Sequence, residues 1–335
     1  MDDSGGGEVS STGSKKVAIV PGDGIGPEVI KSALAVLEAA GARFEQIPLE
    51  IGLSRWKRTG EVMAEEDLRT LKKCDCILFG AITTPPDPNY RSVLLRLRRE
   101  LDLYANIRPF RSKDLDFIIV RENTEGLYSG LEEVGAEESR TLRVITRRGS
   151  QRIAEKACDL VGERRNLTIV HKSNILHSDR LFLKTCQDVA RRRLVAYDDM
   201  LVDAAAYNLV INPKRFDVLV TTNLFGDILS DEAAGVIGSL GLCASANIGQ
   251  SYALFEPIHG SAPDIAGRDI ANPIGAIRSA AMMMKWLGNA EVAKRIEAAV
   301  QKALEEGKKT PDLGGSCNTR QVTEAISQYL KLQLD

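Results

Sequence analysis

Short apolar runs punctuate the chain. Residues 16–21 (KVAIVP), 76–79, 117–120, 167–171 and 218–221 are rich in Val, Ile and Leu, and each is bounded by polar or turn residues. Runs of this length and setting predict buried strands. Between them lie amphipathic stretches. Apolar residues recur at helical spacing over 151–162, 178–193 and 291–306, and a further helical segment reaches position 40 after a glycine turn that follows the first strand. Strand and helix alternate, so the predicted class is α/β, with sheet and helices in layers. Residues 129–146 break the rhythm: polar and alternating, they fit either an arm reaching outside the main body or a surface hairpin. No internal repeat or long linker is visible, so a second domain must be joined by short crossings.

Composition changes this picture in three ways. The 335 residues are 44% hydrophobic and 27% charged, which gives enough core for two medium domains or one large α/β unit. A formal net charge of -2 argues against nucleic acid as a partner, and the run Arg191-Arg192-Arg193 reads as a solvated helix face. No apolar stretch approaches the ~20 residues that span a bilayer, and the N-terminus lacks the basic-then-apolar order of a signal peptide. No membrane partner is therefore expected. Residues 1–14 are rich in Gly and Ser and are expected to form a disordered lead outside the fold. Cys74, Cys76, Cys158, Cys186, Cys243 and Cys317 are scattered and make no disulfide framework; buried free thiols in a reducing cytoplasm are expected.

Several segments carry candidate chemistry. Gly22-Asp23-Gly24-Ile25-Gly26-Pro27-Glu28 follows the first strand and opens a helix, as a dinucleotide fingerprint does, but the glycines fall as G-x-G-x-G with Pro27 in the sixth place, so a Rossmann site is not expected. Asp227 and Asp231 are four apart and share a helix face; two such carboxylates suit a magnesium or manganese ion, although a solvated face is the commoner outcome. They follow a strand end at 221–226, where α/β enzymes place their sites. Asp203 opens another helical run and offers a third oxygen ligand. Arg98, Arg108 and Arg121 carry guanidinium forks that match carboxylates, with Arg98 in a basic helix where solvation is the plainer reading, and Arg108 and Arg121 at element ends. Lys172 also follows a strand; exposure is its ordinary fate unless it is desolvated beside a metal, where it serves as a base. Tyr128, taken alone, reads as packing. The loop 256–264 (EPIHGSAPD) mixes Pro, Gly and polar residues, and its backbone amides and Asp264 suit a phosphate and a ribose diol.

In order along the chain stand GDGIGPEV, LRRELDLYANIRP, VRENTEGLY, HKSN, TTNLFGDILSDEAA, SANIG, EPIHGSAPDIAG and TPDLGG. With these motifs the sequence resembles the β-decarboxylating dehydrogenase family, whose members act on isocitrate, 3-isopropylmalate, homoisocitrate and tartrate or malate. The resemblance covers about 17–330. It implies a two-domain fold with a second domain inserted in the first: 15–105 with 250–335 on the cofactor side, and 106–249 for dimerisation and metal binding. It implies Asp203, Asp227 and Asp231 as magnesium or manganese ligands, Arg98, Arg108 and Arg121 on the substrate carboxylates, and Tyr128 and Lys172 as the catalytic pair with Asp203. Lys172 and Asp203 would serve the partner subunit, making a homodimer the active unit, with a tetramer as the alternative assembly. NAD would lie on a non-Rossmann site of Asn174, Glu256, His259, Gly260, Ser261, Ala262, Asp264 and Asn272. Ser173 and Cys243-Ala244 depart from the usual family residues without touching these groups.

The small-molecule partner implied is a hydroxy di- or tricarboxylate, and the segment 83–95 (TTPPDPNYRSVLL) selects it. Ser92 resembles the serine with which isocitrate enzymes hold a distal carboxylate, whereas Leu94 and Leu95 resemble the leucines that cradle an isopropyl group. The whole segment looks most like that of archaeal homoisocitrate enzymes, so homoisocitrate is the expected substrate, with 3-isopropylmalate or isocitrate as alternatives. A catalytically silent regulatory subunit would be expected to lack an acid, the tyrosine or the lysine, and all are present.

Overall fold

The computed structural model describes residues 14–87, 90–162, 164 and 166–332. The expected lead lies outside them up to residue 13. The strands are β1 (Lys16–Gly22), β2 (Glu45–Pro48), β3 (Cys76–Ala81), β4 (Ala105–Arg111), β5 (Asp116–Glu122), β6 (Glu132–Val134), β7 (Ser139–Thr141), β8 (Leu167–His171), β9 (Tyr197–Leu201), β10 (Val218–Thr221), β11 (Ala244–Ile248) and β12 (Ala253–Pro257). The helices are α1 (Gly26–Ala39), α2 (Leu53–Thr59), α3 (Glu65–Leu71), α4 (Val93–Glu100), α5 (Arg147–Val161), α6 (His177–Arg192), α7 (Val202–Ile211), α8 (Asn223–Ile237), α9 (Ile274–Trp286), α10 (Ala290–Glu305) and α11 (Thr319–Lys331).

Ten strands form one sheet in the order β2-β1-β3-β12-β11-β4-β5-β10-β8-β9. All neighbours run parallel except β11, which opposes both β12 and β4, and β4, which opposes β5. Parallel strands covered on both faces are apolar throughout, and β3 (CILFGA) is buried at every position. Alternation along β1 sends Val17 and Ile19 into the larger core, with α1 and α9, and Ala18 and Val20 into a smaller one beneath α3 and α4. Each large aliphatic side chain so buried contributes roughly 1.5–3 kcal/mol.

Local signals set the element ends. The Thr146 hydroxyl accepts the Gly149 N–H at 2.9 Å and starts α5 four residues before the periodic apolar pattern begins at 151. Asn318 and Gln321 close a reciprocal capping box on α11. Residues 129–146 form a hairpin of β6 and β7 whose strand residues are all exposed, and Val134 at its tip is 83% accessible. Among the described residues no helix is long and apolar enough to cross a membrane.

The glycine turn after β1 is a packing device. Its amides are committed internally: Asp23 N–H to Ala81 O at 2.7 Å, Ile25 N–H to Ser261 O at 2.8 Å and Gly26 N–H to Asp23 O at 2.9 Å. The Asp23 carboxylate accepts the N–H groups of Leu53, Ser54 and Thr83 at 2.9, 3.3 and 3.1 Å, which joins the start of α2 to the segment after β3. Three amides of the turn are thus spent on holding it against β3 and the loop after β12. Gly24 has φ +57°, and a Cβ there would lie 1.9 Å from Ser261 O. Gly24→Ala should therefore destabilise the fold by about 2–4 kcal/mol, read as a lowered denaturant midpoint with unchanged slope.

Candidate active site

The site is built where β4, β5, α4 and α8 meet. Asn106 and Arg108 alternate along β4 and point to one face of the sheet, and Arg121 joins them from β5. Arg108 lies within its strand, not at an element end as the sequence suggests, because Pro109 sits inside β4 without ending it, whereas Arg121 is the last residue but one of β5. Arg121 is 1% exposed. Its Nε and Nη2 donate to the Asn223 side-chain oxygen at 3.1 and 2.7 Å, and its Nη1 donates to Asp227. Asn223 opens α8, and one turn on Gly226 lets the helix cross the arginine stem: a Cβ there would stand 2.7 Å from the Arg121 Cβ and Cγ. Arg108 donates to Asn106 at 2.6 Å and to Ser230, and its Nη1 lies 3.6 Å from Asp227 and 3.9 Å from Asp231.

Arg98 is buried, so the solvated reading of its basic helix does not hold. Its Nη2 is 3.5 Å from Glu256. Glu256 lies inside β12, not on the loop, and accepts the Asn247 side-chain amide at 2.8 Å. Asn247 in turn accepts from Asn106 and Asn123 at 2.9 and 2.8 Å. These buried amides hold the charged groups apart at fixed positions. Tyr128 follows a turn organised by the Glu122 carboxylate, which accepts the Thr124 and Glu125 N–H groups at 2.8 and 2.9 Å. Its hydroxyl donates to Asp227 at 2.8 Å, and the Arg121 guanidinium lies 5.3 Å from its ring centre.

The surroundings pull the two acids apart. Burial opposes charge on Asp227, but Arg121, Arg108 and the Tyr128 hydroxyl outweigh it and hold its carboxyl below the usual range. Burial raises the Asp231 pKa, and the Asp227 charge adds to the rise against the pull of Arg108. Burial, then the hydrogen bond to Asp227, raises the Tyr128 pKa, so the phenol keeps its proton at neutral pH.

Lys172 and Asp203 form a second cluster. The Lys172 ammonium donates to Asp203 at 2.7 Å, and this bond lowers the exposed Asp203 pKa. Asp179, fully buried, accepts the Lys172 backbone N–H at 2.6 Å and is paired to Arg143 at 2.5 Å. Among the described residues of one chain, no three His, Cys, Asp or Glu side chains converge as metal ligands; Asp203 thus stands apart from Asp227 and Asp231.

The remaining candidates line two edges. The His259 Nδ1 meets Gly260 O at 3.0 Å, and burial lowers its pKa, which keeps the imidazole neutral. Ser261 accepts a hydrogen bond from Thr83 at 2.7 Å, Ala262 has φ +36°, and Asp264 is exposed. Asn272 accepts the Ile274 N–H at the start of α9 and donates to Asp312, both at 3.0 Å. Asn174 is exposed beyond β8. In the segment 83–95, positions 88 and 89 lie outside the described residues. Tyr90 is buried edge-on to Trp56 with ring centres 5.5 Å apart. Ser92 caps α4 by accepting the Leu95 N–H at 3.4 Å, while Leu94 and Leu95 are half-buried.

The model of the isocitrate/isopropylmalate dehydrogenase family matches residues 16–326. The chain belongs to this family. It is 47% identical to the isocitrate/homoisocitrate dehydrogenase of Thermus thermophilus, over 94% of this chain and 98% of that one. It is 44% identical to the 3-isopropylmalate dehydrogenase of Archaeoglobus fulgidus, over 94% and 99%. Among solved structures, isocitrate dehydrogenase from Methylococcus capsulatus superposes with a TM-score of 0.91 at 42% identity, covering 95% of this chain and 99% of that one. Members of the family are β-decarboxylating dehydrogenases, and this chain is accordingly an oxidoreductase with a small-molecule substrate.

Three supports of this dehydrogenase site escape a reading of charged residues alone. The amide cluster Asn106, Asn123 and Asn247 lies inside motifs whose arginines draw attention first. Asn223 and Gly226 look like ordinary helix residues. Arg99, beside Arg98 in a basic helix, donates from α4 to the Tyr128 and Ser129 carbonyls at 3.0 and 2.8 Å, and so ties α4 to the turn that carries Tyr128. Arg99→Ala should lower kcat roughly tenfold to a hundredfold with little change in KM, and Arg99→Lys should restore part of it. Steady-state kinetics that show a KM effect alone would contradict this role.

Proposed function

We propose that the protein oxidises a 2-hydroxy acid with NAD and removes the β-carboxylate as carbon dioxide, that homoisocitrate is its preferred substrate, and that the active unit is a homodimer in the cytoplasm. The observation that carries this reading is the convergence of two buried guanidinium groups, Arg108 and Arg121, and a protonated tyrosine on helix-borne Asp227, with Asp231 beside Arg108 and a third buried guanidinium, Arg98, on Glu256.

In this reading Arg98, Arg108 and Arg121 bind the substrate's α- and β-carboxylates as bidentate forks. Asp227 and Asp231, with Asp203 of the partner subunit, supply hard oxygen donors, the set that magnesium or manganese prefers. Such an ion, when bound, stabilises negative charge on the substrate oxygen. Lys172 of the partner subunit assists loss of the hydroxyl proton. Carbon dioxide then leaves its electron pair on the β-carbon, and Tyr128, still protonated, donates a proton there. His259, Gly260, Ser261, Ala262 and Asp264, with Asn272, Glu256 and Asn174, would hold NAD, which would supply the hydride acceptor. Asp264 would accept from a ribose diol and repel a 2′-phosphate.

Two exposed stripes support the dimer. On α7, Asp203, Tyr207, Val210 and Ile211 follow helical spacing, the last three 64, 61 and 56% exposed; on α8, Ile228 is exposed between Asp227 and Asp231. Pairing these helices by a two-fold axis brings the acids of one chain toward the lysine and acid of the other. The proposed domains, 15–105 with 250–335 and 106–249, divide at the first residue of β4 and between β11 and β12.

Ser92 decides the substrate in this reading. As a cap it spends a lone pair and keeps its O–H free to donate to a distal carboxylate, whose burial unpaired is costly, whereas Leu94 and Leu95 gain only roughly 1–3 kcal/mol beside an isopropyl group. Initial rates with homoisocitrate, isocitrate and 3-isopropylmalate, each with NAD and NADP and with magnesium or EDTA, test it. The highest kcat/KM is expected for homoisocitrate with NAD, and none in EDTA; a maximum for 3-isopropylmalate would make the leucines the better guide. For the shared site, Lys172→Ala and Tyr128→Phe should each be nearly inactive, and mixed chains should regain activity after subunit exchange. Proven exchange without recovery would refute it.

A further inference from the structure

A groove of about 740 Å³ lies on the face of the sheet opposite to the acids and arginines, within the range of roughly 300–1,000 Å³ typical of small-molecule sites. Strand alternation makes its floor apolar. Asn106 and Arg108 face the active site, so Ile107 and Pro109 face the groove; Ser245 and Asn247 face the active site, so Ala244, Ala246 and Ile248 face the groove. One wall is α5. The other is α9 and α10, with Met282 and Trp286 completing the apolar lining.

The rim is charged and unbalanced. Its two acids are already engaged: Asp159 is paired to Arg193, and Glu297 lies 3.4 Å from Arg278. Lys156 on α5 and Lys285 on α9, one on each wall, have no hydrogen-bond or ion-pair partner among the described residues. Arg278, only 8% exposed, is held by Glu297 at its Nε and by the Leu242 carbonyl, 3.0 Å from its Nη1. An apolar floor beneath unpaired cations on both walls calls for a ligand with an apolar body and an anionic head.

We propose that this back groove binds an amphipathic carboxylate, its chain on the floor of β4 and β11 and its head between Lys156 and Lys285. A neutral ligand would leave both ammonium groups unpaired, and an amine would meet like charge. The site is independent of the substrate reading, because it uses none of the residues on the front face.

Trp286 lines the groove and serves as its reporter, since Trp56 is the only other tryptophan. In a Trp56→Phe chain, titration with decanoate should give a saturable change in fluorescence that saturating hydroxy-acid substrate does not reverse. The double variant Lys156→Glu/Lys285→Glu, altered only at the rim, should bind at least about tenfold more weakly. Calorimetry on the unsubstituted chain gives the same comparison should Trp56→Phe perturb the fold. Absence of saturation up to millimolar decanoate would overturn the proposal. So would equal affinity in the double variant, equal binding of decanol or decylamine, or displacement by the hydroxy acid, which would place the probe on the front face.

Discussion

The guanidinium of Arg121 sets the terms for the rest of the site. A charge held at 1% exposure inside a sheet is tolerated only when paired and hydrogen-bonded. Here Asn223 takes two of its donors and Asp227 a third. Both partners sit in the first two turns of α8, so the helix must start at the end of β10 and must pass close to the strand, which is why position 226 is glycine. Once α8 is placed, Asp231 follows one turn later, Ser230 meets Arg108, and the Tyr128 hydroxyl finds the second oxygen of Asp227. Removing Asp227 would leave the buried guanidinium short of an acceptor, so its geometry is enforced by stability as well as by use.

The same pair explains the electrostatic asymmetry of the two acids. Asp227 is screened by two arginines and stays charged, whereas Asp231 is raised by burial and by its neighbour's charge. Arg98, Arg108 and Arg121 face Asp227, Asp231 and Glu256, so the front face is matched in charge, while the buried Nε of Arg98 keeps a donor without an acceptor.

Much of this was legible in the sequence. The apolar runs marked strands β1, β3, β5, β8 and β10, and the spacing of Asp227 and Asp231 put both acids on one face of α8. The family motifs brought Arg98, Arg108, Arg121 and Tyr128 into one expectation, and they do share a site. What periodicity could not show was burial against the grain of composition. Arg98 stands in the run LRLRRE, where every local cue says solvent, yet Glu256, 158 positions away in sequence, gives it a partner across β12. Proline at 109 looked like an element end because a strand interior loses a donor there; β4 accepts it. The Asn106–Asn247–Asn123 network is a matter of cross-strand register alone, and uncharged amides carry no signal of their own.

Alternation along β4 and β11 joins these points. β4 carries Asn106 and Arg108 on one side and Ile107 and Pro109 on the other, and β11 carries Ser245 and Asn247 against Ala244, Ala246 and Ile248, so a one-residue slip would bury Arg108 among aliphatic side chains. That constraint fixes the register of the strands on which the halves of the sheet meet. It also leaves Lys172 and Asp203 outside the cluster, at the far end of the sheet beside β8 and β9, together with the exposed stripes of α7 and α8. One chain therefore folds with the arginines, Tyr128 and Asp227 already assembled and a second pair of charged groups facing outward, and the apolar residues beside that pair are costly to leave in water. Burial of those stripes against a second copy would satisfy both demands with a single contact: it would remove Tyr207, Val210, Ile211 and Ile228 from water, and it would bring the separated carboxylates toward one another only when something cationic lies between them.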